Sequence, residues 1–153
     1  MLRVLGEFNG GVSTHMAFTE RLDHIAIGVH EIEQAAVLFR DILGGDSVSG
    51  WDVTEEGFRF TQFRYPNRMK IELMEPLGES GFMQKFLAHR GEGVHHLTFR
   101  VKDIESKLEY LRSRDIEPVH VVLQGPWKEA FIHPRQGHGV LIQLMEVHEP
   151  TRG

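Results

Sequence analysis

A segment of this chain occurs twice. Leu22-Asp23-His24-Ile25-Ala26-Ile27 lies over Val94-His95-His96-Leu97-Thr98-Phe99 at an offset of 72. Ile71-Glu72-Leu73-Met74-Glu75 lies over Ile142-Gln143-Leu144-Met145-Glu146 at an offset of 71. Two anchors with nearly one offset mark an internal duplication, so the fold must be two copies of one unit. At 153 residues the chain has room for one domain, or for two small fused modules sharing a core.

Each copy has the same order of local signals. Leu22–Val29 alternates like a strand, and Ile32, Ala35, Ala36, Phe39 and Leu43 recur at helical spacing before Gly44-Gly45 stops the helix. Three strands follow at about 46–53, 57–65 and 69–75, separated by turns at Glu55-Glu56-Gly57 and Tyr65-Pro66-Asn67-Arg68. Beyond Pro76, residues 79–90 read as a short connecting helix. Gly93–Val101 is a strand, Asp103 caps a helix that buries Ile104, Leu108 and Leu111, and strands at about 118–123, 129–133 and 139–147 complete the chain. The expected class is α+β, with two tandem βαβββ modules. Module one covers 21–76, the linker helix 77–92 and module two 93–148, as a single domain at 21–148. Residues 1–20 read as an extension and 149–153 as a tail.

The repeat singles out four positions. His24 matches His96, and Glu72 matches Gln143. Packed about a pseudo-two-fold axis, equivalent positions face one another, bringing two imidazoles, a carboxylate and an amide oxygen together. That set suits zinc, cobalt, nickel, iron(II), manganese or magnesium. With no cysteine in the chain, thiolate sites and disulfides are excluded. Strand alternation turns Glu75 and Glu146 away from this site, toward solvent or the helices. It also separates His95 from His96 and assigns His95 a structural hydrogen bond toward the helix side.

The net charge of −5 argues against a nucleic-acid surface, and Arg59, Arg64, Arg68 and Lys70 read as a solvated face, with phosphate-group recognition as the lesser reading. No apolar run reaches membrane-span length, and the N-terminus lacks a signal-peptide pattern. The expected setting is cytoplasmic, without a membrane or nucleic-acid partner.

From Leu22 to Glu149 the sequence resembles the vicinal oxygen chelate superfamily, also called the glyoxalase/bleomycin-resistance/dioxygenase fold. The resemblance is greatest to its methylmalonyl-CoA epimerase branch. It is carried by Leu22-Asp23-His24-Ile25-Ala26, Ile71–Leu77, Lys85-Phe86-Leu87, Gly91–Leu97, Phe131-Ile132-His133-Pro134 and Gly139–Leu144. The resemblance implies a cup-shaped mixed sheet around one divalent ion held by His24, Glu72, His96 and Gln143. It also implies a homodimer.

The implied reaction is proton removal beside a thioester carbonyl, with the metal stabilising the enolate and Glu72 as one acid/base. Glu55 or Glu56, in the turn after the second strand, is the candidate for the other. The epimerase pattern has Gln at the first-module position and Glu at the second, and here the two are exchanged. A glyoxalase I-like lyase is the alternative, although that branch has Glu where Gln143 stands. An extradiol dioxygenase ranks lower because it wants Glu at that same position. A metal-free binding protein of the bleomycin-resistance type is the alternative from another class.

Overall fold

The computed structural model describes residues 19–148. The tail expected at 149–153, and all but the last two residues of the expected extension, lie outside this range. Thr19 and Glu20 already belong to the first strand, β1 (Thr19–Gly28).

Module one continues with helix α1 (Ile32–Ala36), which widens into a π-helical turn over Val37–Ile42. Strands β2 (Asp46–Val53), β3 (Phe58–Arg64) and β4 (Lys70–Pro76) follow. Helix α2 (Phe82–Arg90) leads to module two. That module comprises β5 (Gly93–Val101), α3 (Ile104–Arg112), β6 (Val119–Val122), β7 (Trp127–Ile132) and β8 (Leu141–Val147). The class is α+β, as the sequence predicts.

All eight strands form one curled sheet in the order β2-β3-β4-β1-β5-β8-β7-β6. Each module pairs its first and last strands in parallel, β1 with β4 and β5 with β8, and the modules meet where β1 and β5 run antiparallel. The register at this seam expresses the duplication residue by residue. Ala26 sits opposite His96 and His24 opposite Thr98, and each pair maps onto the other when the modules are exchanged. Ala26 also neighbours Glu72 on β4, as Thr98 neighbours Gln143 on β8.

The convex side carries two matching cores, one in each module, rather than a single shared one. Val29, Ile32 and Ala36 pack on Phe63 and Leu73 in module one. Ile104, Leu108 and Leu111 pack on Val101, Ala130 and Leu144 in module two. The α3 cap is as expected, with Asp103 Oδ1 accepting the Ser106 N–H at 3.0 Å. The π-helical turn that continues α1 ends just before Gly44, which adopts φ 74°, a conformation open to glycine at little cost.

Helix α2 belongs to neither copy, and its Met83 and Phe86 close a third cluster with Ala26, Met74, Phe58 and Phe60. Its approach depends on Gly28, where an added Cβ would stand 2.8 Å from both Met83 Cε and Phe86 Cε1.

Candidate functional site

The concave face encloses a cavity of about 1060 Å³, and His24, Glu72, His96 and Gln143 all line it. All four are buried, with 2, 8, 4 and 7 % of their surfaces exposed. One ligand atom each from His24, Glu72 and His96 lie within 4.8 Å of one another. His24 Nε2 is 3.5 Å from Glu72 Oε2. The seam register produces this convergence: the histidines come from its two antiparallel strands, while Glu72 and Gln143 enter from the parallel strands on either side.

His24 is oriented from behind. Its Nδ1 lies 2.9 Å from Asp23 Oδ1, and the same oxygen is 2.7 Å from Lys70 Nζ. Burial works to raise the Asp23 carboxyl. Hydrogen bonds from His24 and Lys70, with the charge of Lys70, overcome it and hold the group well below the usual carboxylate range. An ionised Asp23 receives Nδ1–H and turns Nε2 into the cavity, the arrangement that orients metal-binding imidazoles.

His96 is lowered to about 3 by burial, then by the neighbouring His95 and His24, so it stands neutral with a lone pair to offer. Burial pushes the Glu72 carboxyl up, against the opposing influence of His24 and Gln62. A buried carboxylate is costly unless it is paired or ligated, and a divalent cation held beside His24 and His96 would satisfy it. The donor set therefore fits a metal ion.

Other side chains orient the remaining donors. Gln62 Nε2 donates to Glu72 Oε2 at 2.6 Å. Thr98 Oγ1 lies 2.9 Å from His24 Nε2 and donates to Gln143 Oε1 at 2.6 Å. Gln143 Nε2 donates to Glu129 Oε2 at 2.7 Å. Sequence reasoning missed Gln62, Thr98 and Glu129. Gln62 had a signal, because a hairpin centred on Asn67 sets it opposite Glu72, its partner in the β3–β4 register.

Several expectations require correction. Glu55 is not among these: it lies exposed in the turn after β2, beside Glu56, which is also exposed and reaches the cavity rim. His95 does not hydrogen-bond toward a helix: its Nδ1 is 2.8 Å from Nδ1 of His96. Its ring packs against Phe82 and Phe86 of α2, and it too lines the cavity. Burial, with the charge of Arg90, lowers it to about 4. The basic residues are not one uniform solvated face, since Arg64, Arg68 and Lys70 border the cavity while Arg59 pairs with Asp52. In keeping with the alternation, Glu75 and Glu146 point away from the site toward the helices, where their carboxylates accept the N–H groups of Ile32 and Ile104.

A curled sheet from two βαβββ units, with His, Glu, His and Gln converging inside, defines a glyoxalase-type fold. Residues 23–146 match the glyoxalase/bleomycin resistance protein/dioxygenase superfamily, and the chain belongs to it. Among curated relatives, the ethylmalonyl-CoA/methylmalonyl-CoA epimerase of Cereibacter sphaeroides is 32% identical over 135 residues, covering 83% of this chain and 98% of that one. Among solved structures, methylmalonyl-CoA epimerase from Mycobacterium tuberculosis superposes with a TM-score of 0.80 at 32% identity, covering 90% of this chain and 93% of that one. A Streptomyces coelicolor methylmalonyl-CoA epimerase variant in complex with 2-nitronate-propionyl-CoA superposes with a TM-score of 0.76 at 26% identity, covering 86% and 99%.

Among the described residues, no helix is long and apolar enough to cross a membrane.

Proposed function

We propose that this protein is a divalent-metal-dependent epimerase that removes and returns the proton α to the thioester carbonyl of a branched acyl-CoA. The observation that carries the reading is the convergence of His24, Glu72 and His96, with ligand atoms within 4.8 Å of one another, in a cavity large enough for an acyl group. It is supported by kinship at about 30% identity to methylmalonyl-CoA epimerases.

His24, Glu72, His96 and the Gln143 amide oxygen would hold the metal. When bound, a divalent ion supplies Lewis-acid stabilisation of negative charge developing on a carbonyl oxygen. Asp23 fixes the His24 ring, and Gln62 donates to one carboxylate oxygen of Glu72 while the other has no donor among the described residues. Glu72 takes the α-proton, a role suited to a carboxyl whose proton affinity burial raises. Phe58, Phe60 and Met74 face the cavity and exclude water from the reacting carbon. Arg64 and Arg68 place positive charge at the mouth, where the phosphates of a CoA carrier would meet it. The reading includes the homodimer and the cytoplasmic setting expected from the sequence, and sedimentation of the loaded protein tests the dimer.

The test is deuterium uptake at the α-carbon of methylmalonyl-CoA in heavy water by protein loaded with each candidate metal. Exchange that disappears on chelation supports the reading. Turnover of a glutathione hemithioacetal without thioester exchange would move the protein to the lyase class.

A further inference from the structure

Inverting a tetrahedral carbon by proton transfer requires groups on both of its faces. Glu72 supplies one, from the β4 wing of the sheet. The cavity is also lined by Asp23, Asp46, Glu56 and Glu129. Asp23 is committed, with Oδ1 bound to His24 and Lys70 and Oδ2 to Arg21. Asp46 and Glu56 are exposed at the rim. Glu129 remains. It is half-buried on β7, across the seam from Glu72 in the strand order.

We propose that Glu129 is the second catalytic carboxylate, acting on the face of the α-carbon opposite Glu72. The assignment rests on the epimerase reading above. Oε2 of Glu129 accepts from Gln143 Nε2 at 2.7 Å. The Gln143 amide is held in that orientation because its Oε1 accepts from Thr98. Among the described residues, no hydrogen bond or ion pair engages Glu129 Oε1. One oxygen is therefore anchored and the other carries no hydrogen bond, on a side chain that lines the cavity, the posture of a positioned proton carrier.

The duplication strengthens the point. Glu129 faces Met145 on β8 as Phe60 faces Met74 on β4, so Glu129 and Phe60 occupy equivalent positions. Module one offers a carboxylate from β4 and a phenyl ring from β3. Module two offers an amide from β8 and a carboxylate from β7. Each wing thus presents one carboxylate, from strands that the duplication does not make equivalent, and the two reach the substrate from opposite sides.

In one direction, the Glu72 carboxylate takes the α-proton and becomes the acid, while the C–H bonding pair passes into the enolate. The protonated Glu129 then gives its proton to the other face. The enolate pair forms the new C–H bond, and Glu129 is left as a carboxylate. Exchange of one proton with solvent at each glutamate restores the starting state, and the reverse reaction exchanges the roles.

The test uses the metal-loaded full chain and each epimer of methylmalonyl-CoA separately in heavy water. For Glu129→Gln, whose amide oxygen still accepts from Gln143, interconversion should fall by at least about 100-fold. One epimer should nevertheless keep exchanging its α-proton with retained configuration, because Glu72 still serves that face. Loss of a purely structural contact would not divide the two epimers in this way. Interconversion at the wild-type rate would overturn the assignment and leave the epimerase reading standing. Loss of exchange from both epimers in step with loss of bound metal would also overturn it, in favour of a positioning role through Gln143. A wild-type protein that neither exchanges nor interconverts the thioester would overturn the epimerase reading, and the assignment with it. If Glu129→Gln does not fold, Glu129→Asp replaces it. Slower interconversion with metal affinity kept supports the proposal, and an unchanged rate overturns it.

Discussion

Glu75 and Glu146 perform one task at two related places. Glu75 Oε2 accepts the N–H of Ile32 at 2.7 Å, and Glu146 Oε2 accepts that of Ile104 at 2.8 Å. Each ties the start of a helix to the last strand of its module and satisfies an otherwise orphaned donor, with negative charge at the positive end of the helix. Replacing either by Ala should cost about 1–2 kcal/mol. Replacement by Gln, which keeps an acceptor oxygen, should cost less. Urea unfolding measures both, and metal affinity should stay unchanged because these carboxylates point away from the cavity.

Glu72 sits where function opposes stability. Burial raises its carboxyl, so the charged form is disfavoured in the metal-free protein. Glu72→Gln can still accept from Gln62, and it should raise the urea midpoint of the chelated protein. The same change should weaken metal binding by at least about 10-fold, the loss that even an outer partner of a metal ligand causes. Titration against a chromophoric chelator measures the affinity. A variant that binds metal as tightly as wild type would remove Glu72 from the ligand set.

Asp23 should matter to the metal without touching it. Asp23→Asn removes the anion that Lys70 and His24 share and loosens the choice of tautomer at His24. Metal affinity should fall by about 10–100-fold. The nitrogen chemical shifts of His24 should move from a protonated Nδ1 toward a mixture of tautomers, a change a general loss of stability would not produce.

The histidines dictate a pH dependence. His95 and His96 are lowered to about 4 and about 3, against an ordinary value near 6.5. Above pH 6.5 neither the folded nor the unfolded chain is protonated there. Below it, the unfolded chain takes up protons that the native state refuses, so stability should fall as pH drops from 6.5 toward 4. The raised carboxyl of Glu72 works in the opposite direction, being stabilising below its unfolded value near 4.5 and losing that contribution as pH rises through its folded value. The clean measurement is therefore the urea midpoint of chelated Glu72→Gln protein at pH 7.5 and pH 5. A lower midpoint at pH 5 is expected, and equal midpoints would contradict the buried neutral state of both rings.

The sequence made His24, Glu72, His96 and Gln143 legible because duplication turned four scattered polar residues into two matched pairs. The strands, the Asp103 cap and the outward turn of Glu75 and Glu146 followed from local chemistry and alternation. The side chains around the four did not follow. Glu129 and Thr98 act through the β7–β8 and β1–β5 registers, and these join segments that no short turn aligns. His95 was misread because alternation describes which side of a sheet a residue leaves, and not where a flexible ring finishes. Packed against Phe82 and Phe86, that ring reaches its neighbour.

The antiparallel seam between β1 and β5 has a consequence for how the molecule comes apart. Module one holds His24 and Glu72, and module two holds His96 and Gln143, so neither half contains more than two donors. An ion bound by all four would act as a clasp, adding its binding free energy to the folded state alone. It would make the two modules unfold as one cooperative unit. Cut within the loop before α2, the chain becomes two complementary fragments whose reunion should be driven by the metal.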